Sequence, residues 1–281
     1  SQQLRSDSSA AESTQSNKQK TFTSDGYILG TDAQINGSGG TYVAWNWKLG
    51  GSAVSNSNGS ATSQVLANVD AGISIATFTL PTTATTIGHG LSKAPELIFQ
   101  KGRASGSAWW TFAKPIGNTK ALRLDSTTSS VTSQNFWNNT SPTSTVVTIG
   151  ANSGGNNSWM MYCFHSVDRY SKVGSYTGNG SATDGTFVHC GFKPAWVMVK
   201  RTDVAGNWVI YDNKRSGFNV DNDQLQANLS DTEYDGATYA FIDLLASAFK
   251  LRSSGADRNA SGGTYIFLAF AESPFKHSNA R

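Results

Sequence analysis

The stretch Asn36-Gly-Ser-Gly-Gly-Thr-Tyr42 returns near the other end of the chain as Asn259-Ala-Ser-Gly-Gly-Thr-Tyr265. Each copy is followed by an alternating apolar run, Tyr42-Val-Ala-Trp-Asn-Trp47 and Tyr265-Ile-Phe-Leu-Ala-Phe270. Each is preceded by another, Phe22–Leu29 and Leu245–Leu251. A weaker middle copy runs from Val146 through Gly154-Gly155 to Trp159–Phe164. Alternation with a period of two is the strand signature, and glycine supplies the positive φ that tight turns require. The unit therefore predicts a β-hairpin that occurs three times.

Working outward, the segments between these units also match. His89-Gly-Leu-Ser-Lys-Ala-Pro95-Glu-Leu-Ile-Phe-Gln-Lys101 aligns with His189-Cys-Gly-Phe-Lys-Pro194-Ala-Trp-Val-Met-Val-Lys200, and Trp109–Phe112 aligns with Trp208–Tyr211. A period near a hundred residues is that of a whole domain, not a solenoid turn. Glu96–Gln100 and Ala195–Val199 are short continuous apolar runs, as in central strands buried on both faces, and Pro95 and Pro194 sit at strand starts, where a missing N–H is tolerated. The fold class that follows is all-β: tandem antiparallel β-sandwich units of jelly-roll or lectin type, almost without helix. Ala237–Leu245 is the one helical candidate, and it reads equally well as strand.

The expected division is residues 72–167 and 173–281 as two full repeats, joined by Asp168–Lys172, with a Gly/Ser/Asn linker over 52–71. Alone, Ser1–Lys20 reads as a polar disordered tail. Against the repeats, Leu4-Arg-Ser-Asp-Ser8 resembles Leu122-Arg-Leu-Asp-Ser126, and Ala11-Glu12 falls where Thr232-Glu233 falls. Residues 1–51 then form the second half of a repeat. A strand pair cannot bury an apolar face alone, so missing upstream sequence or another subunit is expected to complete it.

Composition narrows the function. Charged residues make up 15% of the 281, against about 25% in average domains. The net charge of +3 is too small to argue for nucleic acid, and no apolar run reaches the roughly 20 residues of a membrane helix. Cys163 and Cys190 each lie in apolar runs; pairing is open, and small buried hydrophobes are the simpler reading. His89 and His189 occupy matching turns, which favours a structural role. The acids Asp70, Glu96, Asp125, Asp203, Asp212, Asp243 and Glu272 do not suggest a paired glycosidase site. The denser group Asp221, Asp223, Asp231, Glu233 and Asp235 lacks Ca²⁺-loop spacing. No catalytic residue, metal ligand or cofactor is assigned. Trp109 and Trp208 match and are expected in repeat cores. Trp110, on the opposite strand face, and Trp137 are the candidates for an exposed platform that stacks on sugar rings, with sheet or subunit packing the favoured alternative.

Gly174-Ser-Tyr-Thr-Gly-Asn-Gly180, Gly191–Ala195, Val199–Asp203, Asn259–Ile266, Phe270–Phe275 and Asn279–Arg281 together resemble the C-terminal repeat domain of structural proteins of tailed bacteriophages, marine and cyanophage types especially. Gly88–Leu91, Ala94-Pro95 and Gly117–Lys120 carry the same resemblance in the first repeat. It implies a non-enzymatic virion part, a tail fibre, spike or other exposed appendage. The implied partners are further copies of the chain (a trimer by family analogy), other virion proteins and host-surface glycan, without nucleic acid or membrane insertion. A glycan-binding module, a head decoration protein and a polysaccharide depolymerase are the alternatives.

Overall fold

Leu97–Gly102 and Pro194–Arg201 alternate between interiors. Leu97 and Phe99 enter one apolar cluster and Ile98 a second. Trp196 and Met198 enter that same first cluster, while Val197 and Val199 enter a third. Successive side chains of a strand face opposite ways, so a continuous apolar run needs cover on both sides. The computed structural model, which describes residues 1–151, 157–215, 219–221, 223–235 and 241–273, supplies that cover by stacking sheets.

The two inner layers are large antiparallel sheets. One has the order Val131–Thr132, Lys120–Arg123, Trp110–Ala113, Leu97–Gly102, Asn157–Phe164, Ile73–Leu80, Ser63–Asn68, Val54–Asn56. The other has the order Tyr234–Asp235, Asp223–Gln226, Trp208–Asp212, Pro194–Arg201, Thr264–Ala271, Ser171–Thr177. The first six strands of the one match the six of the other, strand for strand. Register matches as well: Lys120 faces Thr132 as Asp223 faces Asp235, and Trp159 faces Phe78 as Tyr265 faces Tyr176. We call these modules 1 and 2.

Each large sheet carries a small one on its outer face. Thr85–Gly88 pairs with Val146–Ile149 over the first, and Ala248–Leu251, between Phe187–His189 and Ile242–Leu244, lies over the second. The clusters that hold Ile87, Ile98 and Trp159, and Val188, Val197 and Phe249, fill these sandwiches. The inner faces of the large sheets share the remaining cluster, which includes Phe99, Trp109, Trp208 and Phe270. Helix among the described residues amounts to Ala33–Asn36, Gln134–Trp137 and the 3-10 turn Lys114–Ile116.

Residues 1–51 carry a half-module. Gln2–Gln3 pairs with Ser13–Thr14, Gln2 opposite Thr14, in the register of Lys120 with Thr132. The hairpin Gln19–Phe22 with Tyr27–Leu29 stands where Ile242–Leu244 and Ala248–Leu251 stand in module 2.

Three expectations need correction, and one open alternative is resolved. The Gly-rich units are not hairpins. Ala248–Leu251 belongs to the small sheet, whereas Thr264–Ala271 runs between Ser171–Thr177 and Pro194–Arg201 in the large one. Val146–Ile149 and Asn157–Phe164 are divided the same way. The flanking runs point their apolar faces at each other across one core, so the turn must span a sandwich about 10 Å thick. Tyr42–Trp47 is not a strand, because among the described residues no strand lies beside it to pair with. Residues 52–71 are not a linker: Val54–Asn56 and Ser63–Asn68 extend the first large sheet, and Val65 is buried. Val54–Asn56 runs at the sheet edge, where Ser and Asn are tolerated, and the turn that follows needs glycine: a Cβ on Gly59 would lie 2.1 Å from the Thr86 carbonyl oxygen. Finally, Ile242–Leu244 of the ambiguous segment is strand. Its residues 237–240 lie outside the described residues, as do the middle Gly-rich turn over 152–156 and the terminal motif over 279–281.

Candidate functional site: a contact made twice

A constellation of polar groups that occurs twice lies between modules. Trp208 Nε1 donates to the Arg123 carbonyl at 2.8 Å, and Trp109 Nε1 donates to the Arg5 carbonyl at 2.8 Å. Lys200 Nζ donates to the carbonyls of Thr127 (2.9 Å) and Gly206 (2.6 Å). Lys101 Nζ donates likewise to Ser9 (2.9 Å) and Ser107 (2.7 Å). The backbone follows suit. Gly206 N donates to Thr127 O and Ser130 N to Thr202 O, while Ser107 N donates to Ser9 O and Glu12 N to Arg103 O. The segment Leu122–Ser130 of module 1 thus docks on module 2 as Leu4–Glu12 docks on module 1.

Local chemistry shapes the donor segment. Arg5 pairs with Asp7 and Arg123 with Asp125. Ala10 N donates to Ser8 Oγ and Thr128 N to Ser126 Oγ, both at 3.1 Å, which turns the chain so that the next carbonyl points at the lysine. On the receiving side the lysine is the penultimate residue of its strand and the tryptophan stands at the start of the next, eight residues later in both modules. Burial pushes the Lys200 amine down to about 8 and lowers that of Lys101. Lys200 has no solvent exposure, and its ammonium is closed in by two carbonyls. A lowered amine pKa is often a mark of function; here the group cannot reach a substrate, and its geometry is that of a bolt between modules.

The three inner faces meet around one line. Trp47, Phe164 and Phe270 hold matching positions. The Trp47 and Phe270 rings lie 5.3 Å apart and those of Phe164 and Phe270 6.4 Å apart. Trp45 Nε1 donates to Asp212 Oδ2 at 3.2 Å, and Trp45 packs edge-to-face on Trp196. The half-module therefore touches module 1 through one surface and module 2 through another. An open stack would separate first from last, so the arrangement is a ring around a pseudo-threefold line.

The remaining sequence candidates fall elsewhere. Trp137 is 1% exposed, its Nε1 donates to the Lys120 carbonyl, and its ring packs on Phe112; it is core, not a platform. Trp110 is half-buried under Phe136, with Arg123 5.8 Å from its ring centre. Trp109 and Trp208 fill the core between modules and not those of their own sandwiches. His89 is buried, accepts from Leu91 N at Nδ1 and reaches the Thr143 carbonyl through Nε2; burial lowers its pKa. His189 is exposed, and His277 lies outside the described residues.

Cys163 and Cys190 are free and buried, their thiols pushed up to about 12 by burial. The acids are spread among ion pairs: Glu96 with Lys114, Asp203 with Arg201, Asp212 and Glu233 with Arg215, Asp243 with Arg252 and Glu272 with Lys193. The Arg201 hydrogen bond holds Asp203 down to about 2. Among the described residues no three metal-ligating side chains converge.

The paired contacts were not singled out by sequence reading. Their signal was present in the Leu-Arg-x-Asp-Ser likeness and in the Lys-to-Trp spacing, but carbonyl acceptors leave no trace in residue identity. Comparison with known proteins gives a match to one family, described as Domain of unknown function (DUF7483), over residues 1–274. No curated protein and no solved structure matches the chain.

Proposed function

Because the chain belongs to the DUF7483 family, whose name assigns no activity, we propose a function from its geometry: a structural part of a bacteriophage particle, in a tail fibre, spike or other exposed appendage. The observation that carries this reading is the contact made twice. Polar groups that enzymes deploy in clefts are spent here on joining one module to the next. Buried lysines hold neighbouring carbonyls, tryptophans bridge modules, and acids are consumed by local ion pairs. The result is a block in which three like faces pack on one core and two of the contacts between them are bolted, which suits load-bearing or display better than turnover. The phage resemblance in the turn motifs points the same way.

Mass spectrometry of purified particles of a phage encoding this chain tests the reading. The expected result is the chain in stoichiometric amount; its absence from particles and presence only in lysate would overturn it. Binding of the purified chain to host-surface polysaccharide, lost in Trp110→Ala, would favour the glycan-binding alternative. Shortened polysaccharide chains after incubation would favour a depolymerase.

A further inference from the structure

The ring has a third contact position, and among the described residues it is open. Module 2 repeats the donor segment: Gln226, Ser230 and Glu233 stand where Arg123, Thr127 and Ser130 stand in module 1, and where Arg5, Ser9 and Glu12 stand in the half-module. Among the described residues no tryptophan reaches the Gln226 carbonyl and no lysine the Ser230 carbonyl. Leu229 and Tyr234 beside them are 38% and 50% exposed. On the other side of the gap, the half-module bares what modules 1 and 2 bury. Leu244 and Leu251 of module 2 are buried, whereas Phe22 and Leu29, which match them in the hairpin register, are 71% and 36% exposed. Phe22, Tyr27, Leu29, Ile35 and Tyr42 line a pocket of about 380 Å³. In module 2 the corresponding space is filled by Val188, Val197, Val199, Val209 and Tyr211, all from the first half of the module.

We propose that this sector is the seat of a first half-module of the same fold. Its chemistry is set by the two contacts already in place. It brings a Pro-led apolar strand with lysine as its penultimate residue, and a tryptophan eight residues after that lysine. The apolar face of its strands covers Phe22, Tyr27 and Leu29 and pairs with Tyr42–Trp47. Its lysine reaches the Ser230 carbonyl, and its tryptophan N–H reaches the Gln226 carbonyl. An apolar face that size has to be covered, and continuity with two established contacts specifies by what. The proposal goes beyond the virion reading and does not depend on it.

The register provides the test. Ser1 matches Thr119, so residues 71–118 grafted directly ahead of Ser1 reproduce the connection inside module 1. Hydrogen exchange is read in the unmodified chain, in the graft, and in the graft carrying alanine at its copy of Trp109. In the unmodified chain at low micromolar concentration, amides 229–233 should exchange far faster than the docked amides 126–130. The graft should slow amides 229–233 and 42–47 by at least about tenfold. The alanine graft should lose that gain over 229–233.

Equal protection of 229–233 and 126–130 in the unmodified chain would overturn the proposal. So would a folded graft in which neither segment slows. Protection that rises with concentration in the unmodified chain, together with dimers in sedimentation, would assign the face to a second copy and equally overturn it. A graft that does not fold leaves the comparison within the unmodified chain as the deciding measurement.

Discussion

Tyr42 and Tyr265 occupy the same place in the same turn, and the two surroundings diverge one residue later. Tyr42 Oη donates to the Ala33 carbonyl and accepts from Gly37 N; Tyr265 Oη donates to the Ala256 carbonyl and accepts from Ala260 N. Gly39 and Gly262 match at φ +74° and +72°. Beyond the turn, Thr264–Ala271 is a strand between two neighbours with Tyr265–Phe270 buried, whereas Tyr42–Trp47 has no strand partner among the described residues and leaves Tyr42 half exposed. The turn is written in local residues that satisfy one another. The strand is not: its backbone groups need partners that only adjacent chain can supply.

The comparison can be broken at its core first. Trp208→Ala removes a buried ring packed on Phe99 and the N–H that holds Arg123. A loss of about 3–5 kcal/mol is expected in denaturant unfolding. Trp109→Ala, whose cover includes Leu4 of the half-module, should lose less. Equal losses would mean that the half-module packs as firmly as a complete module.

The bolt can be tested by pH. With its folded amine at about 8 against an ordinary 10.5, Lys200 binds fewer protons folded than unfolded between those values. Its contribution to stability therefore rises with pH through that window, by at most about 3 kcal/mol. The difference in unfolding free energy between the wild type and Lys200→Met should shift in favour of the wild type from pH 7.5 to 10.5. The two buried thiols, present in both proteins, cancel in that difference. A flat difference would place the amine in water.

The Gly-rich turns give the smallest effect. Gly262→Ala puts a side chain at positive φ where nothing obstructs it, so only the backbone penalty, about 1 kcal/mol, is expected. Gly39→Ala should cost less in global unfolding, since the run that follows it packs through Trp45 and Trp47 but makes no strand pairing among the described residues.

The all-β class was legible from period-two runs, and the duplication from paired motifs such as Lys101 and Lys200. The strands at 54–56 and 63–68 are hard to see in the sequence, because the first is an edge strand and the second lies next to it, and strands with one packed face tolerate Ser, Asn and Gly and look like loops. The arches were read as hairpins because a Gly-rich turn specifies a reversal but not which sheet receives the chain. The inter-module site was least legible, since its acceptors are backbone carbonyls that any residue offers. Trp137 makes a related point: a lone tryptophan in a polar stretch reads as platform or as packing until its N–H finds a carbonyl, here that of Lys120, and the packing alternative is the one the structure has.

Everything turns on whether residues 1–14 dock as a piece of the module or trail as a tail. Hydrogen exchange at two matched amides decides it most directly: Glu12, bonded to the Arg103 carbonyl, and Ser130, bonded to the Thr202 carbonyl. The expected result is slow exchange at both, each well below the rate of an unstructured chain and within about tenfold of the other. Free exchange at Glu12 beside protection at Ser130 would contradict the repeated contact, and with it the ring.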